Sequence, residues 1–255
     1  MLKFIGSIGA GTLLVVLMAC KKQGVREVTG GRTLVTVEDS LLLPDSIWNR
    51  GWLLTESEQK MKQYGLVDVQ RIDPTIRVHL QYADSSNFMG ERLYADLHRA
   101  YLLPAAAQAL SAAQQELKKI HPGKSLIVYD AARPIAVQRK MWDRVKGTSW
   151  QNFVSNPAKG GGLHNYGVAV DVSVVDDFGR ALDMGCGFDE FDRRARVDIE
   201  PELLESGLLT TVQMENRLLL RKVMLKAGFK ALPGEWWHFN WMSRKEAMAC
   251  LNVIE

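Results

Sequence analysis

Between Val168 and Val175 the chain sets Val168, Val170, Val172 and Val174 in alternation with Ala169, Asp171, Ser173 and Val175. Period-two alternation of this kind is a β-strand, with Asp171 on the face opposite the four valines. A carboxylate in the middle of so apolar a strand is costly unless it is paired or bound to a metal. The fold must therefore bring a partner to Asp171. Two segments offer one: Leu163-His164-Asn165-Tyr166-Gly167 just upstream, and Glu235-Trp236-Trp237-His238 far downstream. On a continuous strand, the odd separation of His164 and Asp171 would send their side chains to opposite faces. The bend at Asn165-Tyr166-Gly167 has to re-aim the imidazole. Glu235 and His238, three apart, would also diverge on a regular strand, so a bulge or a strand start is expected there.

Together the segments hold two imidazoles, one carboxylate in ligand position and one spare carboxylate. Catalytic zinc takes three protein ligands and keeps a fourth position for water. A glutamate that does not bind the metal can then take the proton from that water. His164, Asp171 and His238 are accordingly the candidate ligands for one Zn2+ per chain, and Glu235 the candidate general base. Trp236 and Trp237 would wall the site and strengthen each charge in it. Neither motif is specific alone; their joint presence carries the reading. His79, His98 and His121 carry no further signal and are read as structural.

The rest of the pattern is mixed. Ile76–Tyr82 alternates and reads as a strand, and Ser125–Tyr129 is a short apolar one. Pro104 opens a helix through Ala105–Lys119 that Pro122-Gly123 stops. Pro134 starts a second, with Val137, Met141 and Val145 at helical spacing. Asp176-Asp177-Phe178-Gly179 is a turn, Thr211–Ala227 a long helix ended by Gly228, and Glu235–Trp241 a strand. Ser243-Arg244-Lys245-Glu246 is a capping box before a terminal helix. Strands and helices do not alternate regularly, so the expected class is α+β, an antiparallel sheet flanked by helices.

Residues 1–20 read as a leader: a basic Met1-Leu2-Lys3, an apolar run from Phe4 to Met18, and Leu17-Met18-Ala19-Cys20. The run is short for a membrane span of about 20 residues. It resembles a bacterial lipoprotein signal that would leave Cys20 lipidated; an uncleaved anchor or an ordinary secretory signal are the alternatives, and all of them export the chain. Residues 21–66 read as a tether and peripheral segment, and 67–255 as one domain with ample chain for a core. A net charge of +3, without a basic cluster interleaved with aromatics, argues against a nucleic-acid partner. With Cys20 acylated, Cys186 and Cys250 remain, and a domain of this size does not need a disulfide, so two unpaired thiols are expected. Cys186 lies in a Gly-rich turn and reads as a small turn residue rather than a fourth ligand.

These motifs are those of a known family. The chain resembles the zinc D-alanyl-D-alanine dipeptidases, the VanX-like metallopeptidases, and more remotely the D-alanyl-D-alanine carboxypeptidases and the Hedgehog signalling domain. The pattern S-x-H-x-x-G-x-A-x-D stands here as Gly162-Leu163-His164-Asn165-Tyr166-Gly167-Val168-Ala169-Val170-Asp171, and E-x-x-H as Glu235–His238. Similar blocks precede them at Leu80–Ala83, Asn87–Gly90 and Tyr129–Pro134, and Met184–Asp189 lies between them. The resemblance implies a single domain of the Hedgehog/D-Ala-D-Ala peptidase type, the ligand set named above, and Glu235 as base and acid. It also implies that Arg133 holds the oxyanion, a role suited to a guanidinium's fixed donors. Asp189 would meet the free ammonium of the substrate. The family serine two positions before the first ligand is Gly162 here, within Gly160-Gly161-Gly162; backbone N–H groups could substitute as an anion nest.

The expected function is hydrolysis of D-Ala-D-Ala, or a related short D-amino-acid peptide, in cell-wall peptide turnover by an exported, membrane-tethered lipoprotein of the periplasm or cell envelope. Two rivals are a D,D- or L,D-carboxypeptidase acting on longer wall peptides, and a zinc-stabilised binding module without turnover. Intact Glu235 and Arg133 argue against the module, since a structural zinc has no use for either.

Overall fold

The strands that meet at Asp171 organise the domain. The computed structural model describes residues 53–255; the leader, Cys20 and the tether as far as Trp52 lie outside the described residues. In chain order the elements are α1 (Glu56–Gln63), β1 (Val67–Asp68), α2 (Val69–Ile72), β2 (Arg77–Val78), β3 (Tyr101–Leu102), α3 (Pro104–Ile120) and β4 (Ser125–Asp130). Then follow α4 (Ile135–Val145), β5 (Ala169–Val175), α5 (Glu200–Glu205), α6 (Thr211–Lys226), β6 (Lys230–Leu232), β7 (Glu235–Asn240) and α7 (Arg244–Cys250). Five strands form one sheet in the order β2-β4-β5-β7-β6, while β1 and β3 pair separately. All pairings in the large sheet are antiparallel except β2 with β4 at one edge. The class is α+β, as the pattern implies.

Helices α3 and α6 pack on each other and on β4, β5 and β6. Val170, Val172 and Val174 share one core with Leu110, Leu117, Leu220 and Val223. Alternation then puts Asp171 on the other face of the central strand. Every residue of β5 is buried, which is why its sequence is apolar on both faces except where chemistry intervenes.

Two irregularities shape the strands that flank β5. Between β4 and β5 the register shifts after Val128, so that Asp130, and not Tyr129, lies opposite Asp171. One extra residue in β4 has reversed its side-chain parity. Between β6 and β7 the register jumps from Ala231 opposite Phe239 to Leu232 opposite Glu235, leaving Trp236–His238 without partners in β6. Glu235 is also the first residue of β7. The expected bulge and the expected strand start are therefore both present.

Two expectations need correction. Residues 76–82 are not one strand: β2 covers Arg77–Val78, and a 3-10 turn, Gln81–Ala83, follows. The turn buries Tyr82 and carries its hydroxyl to Asp189, a tertiary demand that local alternation does not contain. The segment up to residue 66 is not only a tether, because it holds α1, with Met61 and Leu66 in the core. Thr55 and Glu58 close a capping box on α1, and Glu58, fully buried, pairs with Arg99. Cys186 is a free thiol, as expected.

Because Met61 is 1% exposed, Met61→Ala should lower stability by about 2–5 kcal/mol, the usual cost of truncating a buried methionine. Urea unfolding would show it as a lowered midpoint. An unchanged midpoint would return this segment to the status of a tether.

Candidate metal centre and catalytic cavity

His164 sits on a 3-10 turn, Leu163–Tyr166, that ends at Gly167 in the left-handed region (φ 67°). A side chain at Gly167 would also stand 2.7 Å from the Leu66 side chain. Conformation and space thus both call for glycine at the bend that re-aims the imidazole. Asn165, fully buried, clips this turn to the neighbouring loop: its amide donates to the Arg133 carbonyl at 2.8 Å, and Arg133 N–H donates to the His164 carbonyl at 3.0 Å. His238 arrives from β7, where it lies directly opposite Asp171.

The three predicted ligands converge. His164 Nε2 lies 3.3 Å from Asp171 Oδ2, His238 Nδ1 lies 3.0 Å from Asp171 Oδ1, and the two ring nitrogens are 3.1 Å apart. Ligand atoms of this trio all fall within 4.8 Å of one another. Their outer hydrogen bonds fix both tautomers. His164 Nδ1–H donates to the Ala131 carbonyl at 2.7 Å, and His238 Nε2–H donates to Asn240 Oδ1 at 2.8 Å. Each ring thus turns a lone pair inward, toward the other ring and toward a carboxylate. A divalent cation among them satisfies all three donors at once, and such outer partners are what hold metal-binding imidazoles in place. The residues fit the metal that their types imply. Burial alone would raise the Asp171 carboxyl, but His164 and His238 outweigh it and hold Asp171 well below the usual carboxylate range.

Glu235 approaches the trio without joining it, its Oε2 4.0 Å from His238 Nδ1. Burial, with Asp171 and Asp189 nearby, pushes its carboxyl up to about 7 against the pull of His238 and Arg133. Arg133 is buried beside Asp171, with Nη2 at 3.8 Å from Oδ2. Its Nε–H and one Nη2–H donate to Asp130 Oδ2 at 2.8 and 2.6 Å. The Nη1 donors go to Gln138 Oε1 at 2.9 Å and Met141 Sδ at 3.3 Å. Of five donors, one on Nη2 is left uncommitted. Tyr82 lies under the guanidinium, 5.0 Å from its ring centroid, and Tyr94 donates to Asp130 Oδ1 at 2.5 Å.

Asp189 lines the same cavity in a left-handed conformation (φ 59°), unusual for a residue other than glycine. The Tyr82 hydroxyl donates to it at 2.9 Å. Burial first, and the charge of Asp171 second, push its carboxyl up to about 8. Trp237 lines the cavity, whereas Trp236 lies on the far side of its strand beside Cys186, so one of the two expected apolar walls is absent. Cys186 itself is outside the ligand cluster, as its turn position implies.

The anion nest expected at Gly160–Gly162 is not free. Gly160 and Gly161 N–H donate to the Pro157 and Asn156 carbonyls at 3.1 and 3.2 Å, and Gly162 N–H donates to Asn165 Oδ1 at 2.8 Å. Sequence reasoning also missed Asp130, Gln138, Tyr82 and Asn240. Asp130 had a signal, a carboxylate closing an apolar strand three residues before Arg133. Asn240 had none, since its role depends on how the His238 ring is turned.

His164→Ala or His238→Ala should abolish bound metal, because two ligands hold a divalent ion poorly. Asn240→Ala should weaken metal binding by roughly 10–100-fold through loss of the tautomer-fixing contact. Competition with a chelator reads both effects. Unaltered affinity in Asn240→Ala would show that the His238 ring is held by something else.

Comparison with known proteins agrees with this geometry. The family model described as D-Ala-D-Ala dipeptidase matches residues 62–254. A D-alanyl-D-alanine dipeptidase of Escherichia coli K12 is 33% identical over 179 residues, which is 69% of this chain and 83% of that protein. One from Synechocystis sp. is 31% identical over 160 residues, 51% of this chain and 65% of the relative. One from Enterococcus faecalis is 23% identical over 185 residues, 65% and 85% of the two chains. With most of its length matched and a His-Asp-His cluster at the centre of that match, the chain belongs to the D-Ala-D-Ala dipeptidase family of metallopeptidases.

Proposed function

We propose that the protein is a zinc dipeptidase that hydrolyses D-alanyl-D-alanine, or a closely related D-amino-acid dipeptide, during cell-wall peptide turnover. The observation that carries this reading is the gathering of His164, Asp171 and His238 with Glu235, Arg133 and Asp189 around one cavity. Two nitrogens and one carboxylate oxygen are a ligand set suited to zinc. Bound there, zinc supplies Lewis-acid polarisation of the substrate carbonyl and acidifies a water.

The chain's own residues do the rest. Glu235 takes the proton of the attacking water and passes it to the leaving amine, a transfer that its burial, by raising the carboxyl, favours. Arg133 directs its uncommitted N–H at the developing oxyanion, and Asp130 and Gln138 keep it from swinging away. Asp189 receives the substrate ammonium, whose charge favours the ionised carboxylate that burial disfavours. A cavity of about 180 Å³ suits a two-residue peptide, being below the roughly 300–1,000 Å³ of pockets for drug-sized ligands. An ammonium site within it would confine cleavage to dipeptides.

The leader at residues 1–20 supports export, and Cys20 supports attachment to a membrane of the cell envelope through lipid. No helix among the described residues is long and apolar enough to cross a membrane, so acyl chains on Cys20 would supply the membrane affinity. Cys20→Ser should move the protein from the membrane fraction to the soluble fraction. Full retention in membranes would reject the lipid anchor.

The catalytic reading is tested on zinc-loaded protein with D-Ala-D-Ala and its N-acetyl derivative. Glu235→Ala should retain the metal and lose about 10²–10⁴-fold in turnover, and Arg133→Ala about 10²–10³-fold. The N-acetyl peptide should be cleaved on the order of 10²-fold less efficiently, since Asp189 would be left buried and unpaired. Equal cleavage of both peptides would favour the carboxypeptidase, and a parent enzyme without turnover would favour the binding module.

A further inference from the structure

The cavity is lined by two guanidinium groups, and only one is accounted for. Arg133 is charge-balanced by Asp130. Arg244 also lines the cavity, yet none of the carboxylates among the described residues pairs with it; its guanidinium donates to the Gly161 and Lys159 carbonyls, which are neutral acceptors. It is the first residue of α7, where a cation meets the positive end of the helix and gains nothing from it. Two carbonyls thus hold this exposed guanidinium at the edge of a cavity that also carries the acidic Asp189 and Glu235.

Ser155 lines the same cavity. A Cβ built on Gly162 would stand 3.1 Å from Ser155 Oγ and 3.3 Å from its Cβ, so the Ser155 side chain occupies the space that a side chain at position 162 would enter. The Ser155 carbonyl accepts from Gln138 Nε2 at 2.9 Å, and Gln138 in turn accepts from Arg133. The hydroxyl is therefore placed relative to the guanidinium nearest the metal ligands, and it makes no hydrogen bond of its own to a described residue. The N–H groups of Gly160–Gly162 are all engaged, whereas Ser155 keeps its hydroxyl donor and Arg244 keeps the guanidinium N–H groups not given to the Gly161 and Lys159 carbonyls.

We propose that Arg244 and Ser155 form the subsite for the C-terminal carboxylate of the substrate, Arg244 by charge and Ser155 through its hydroxyl. The assignment rests on the dipeptidase reading and deepens it. A dipeptide carries two opposite charges at its ends. Asp189 suits the ammonium, and Arg244 is the cation left to suit the carboxylate.

The test compares D-Ala-D-Ala with D-Ala-D-alaninamide, which lacks the terminal charge, on zinc-loaded protein. The parent should prefer the acid. Arg244→Ala should raise KM for the acid on the order of 10–100-fold, as expected for a lost charge-assisted contact. KM for the amide, kcat and metal content should stay near their parent values. Ser155→Ala should move the acid-to-amide ratio in the same direction by a smaller factor, without disturbing the carbonyls that Arg244 holds. An equal loss on both substrates would make Arg244 a structural clamp on the Gly160–Gly162 loop, and an unchanged ratio in both variants would place the carboxylate elsewhere; either result overturns the subsite. A parent that cleaves neither substrate would overturn the dipeptidase reading beneath it.

Discussion

A negative charge buried in the middle of the central strand sets the terms for the rest of the domain. Asp171 is 2% exposed, and an isolated carboxylate so placed would protonate or unfold its surroundings. Two imidazoles converge on it, His238 across the strand pair and His164 from the preceding turn. Regular pairing of β5 with β7 brings His238 to Asp171, whereas His164 reaches it only through its turn. The demands of one carboxylate thus account for the left-handed glycine at position 167 and the burial of an otherwise polar turn.

A second buried charge depends on the first. Arg133 lies close enough to Asp171 to be attracted to it, but its closest carboxylate is Asp130. That carboxylate faces the site because β4 has gained a residue at Tyr129. The division is useful chemically. Asp130 neutralises the guanidinium and orients it, so that Asp171 stays available to a metal and one Nη2 donor stays available to a substrate. Buried pairs of this kind add little to stability for the desolvation they cost. Their retention here is better explained by the fixed geometry they give to a charged side chain.

The chain shows clearly which parts of such a site can be read without coordinates. Val168–Val175 announced a buried strand by period, and Asp171 announced a conflict within it by chemistry. Helices α3, α4, α6 and α7 were legible from Pro104, Pro134, Gly228 and the Ser243 capping box, all local signals. Helix α1 was missed although its capping residues, Thr55 and Glu58, are of the same kind, because Met61 is its one buried apolar residue and leaves little periodicity. Asn240 and Ser155 escaped notice for another reason. Asn240 acts through a ring orientation and Ser155 is placed by Gln138, 17 residues away, and neither is written in its neighbours.

By itself the sequence determined the inventory: two histidines, an aspartate and a glutamate in strand-and-turn contexts that a structural role would not need, in an α+β chain of ordinary size. It determined, too, that regular strands could not bring them together, since side-chain parity is a local property. Only the tertiary structure decided how parity was broken, by the turn ending at Gly167 for His164 and by three residues of β7 left unpaired with β6 after Glu235. It decided as well that the glycine N–H groups at 160–162 are spent on the loop itself, while the hydroxyl of Ser155 fills the space beside Gly162. Register and vacancy arise from the packing of whole strands and loops against one another, and so they belong to the folded chain and not to any segment of it.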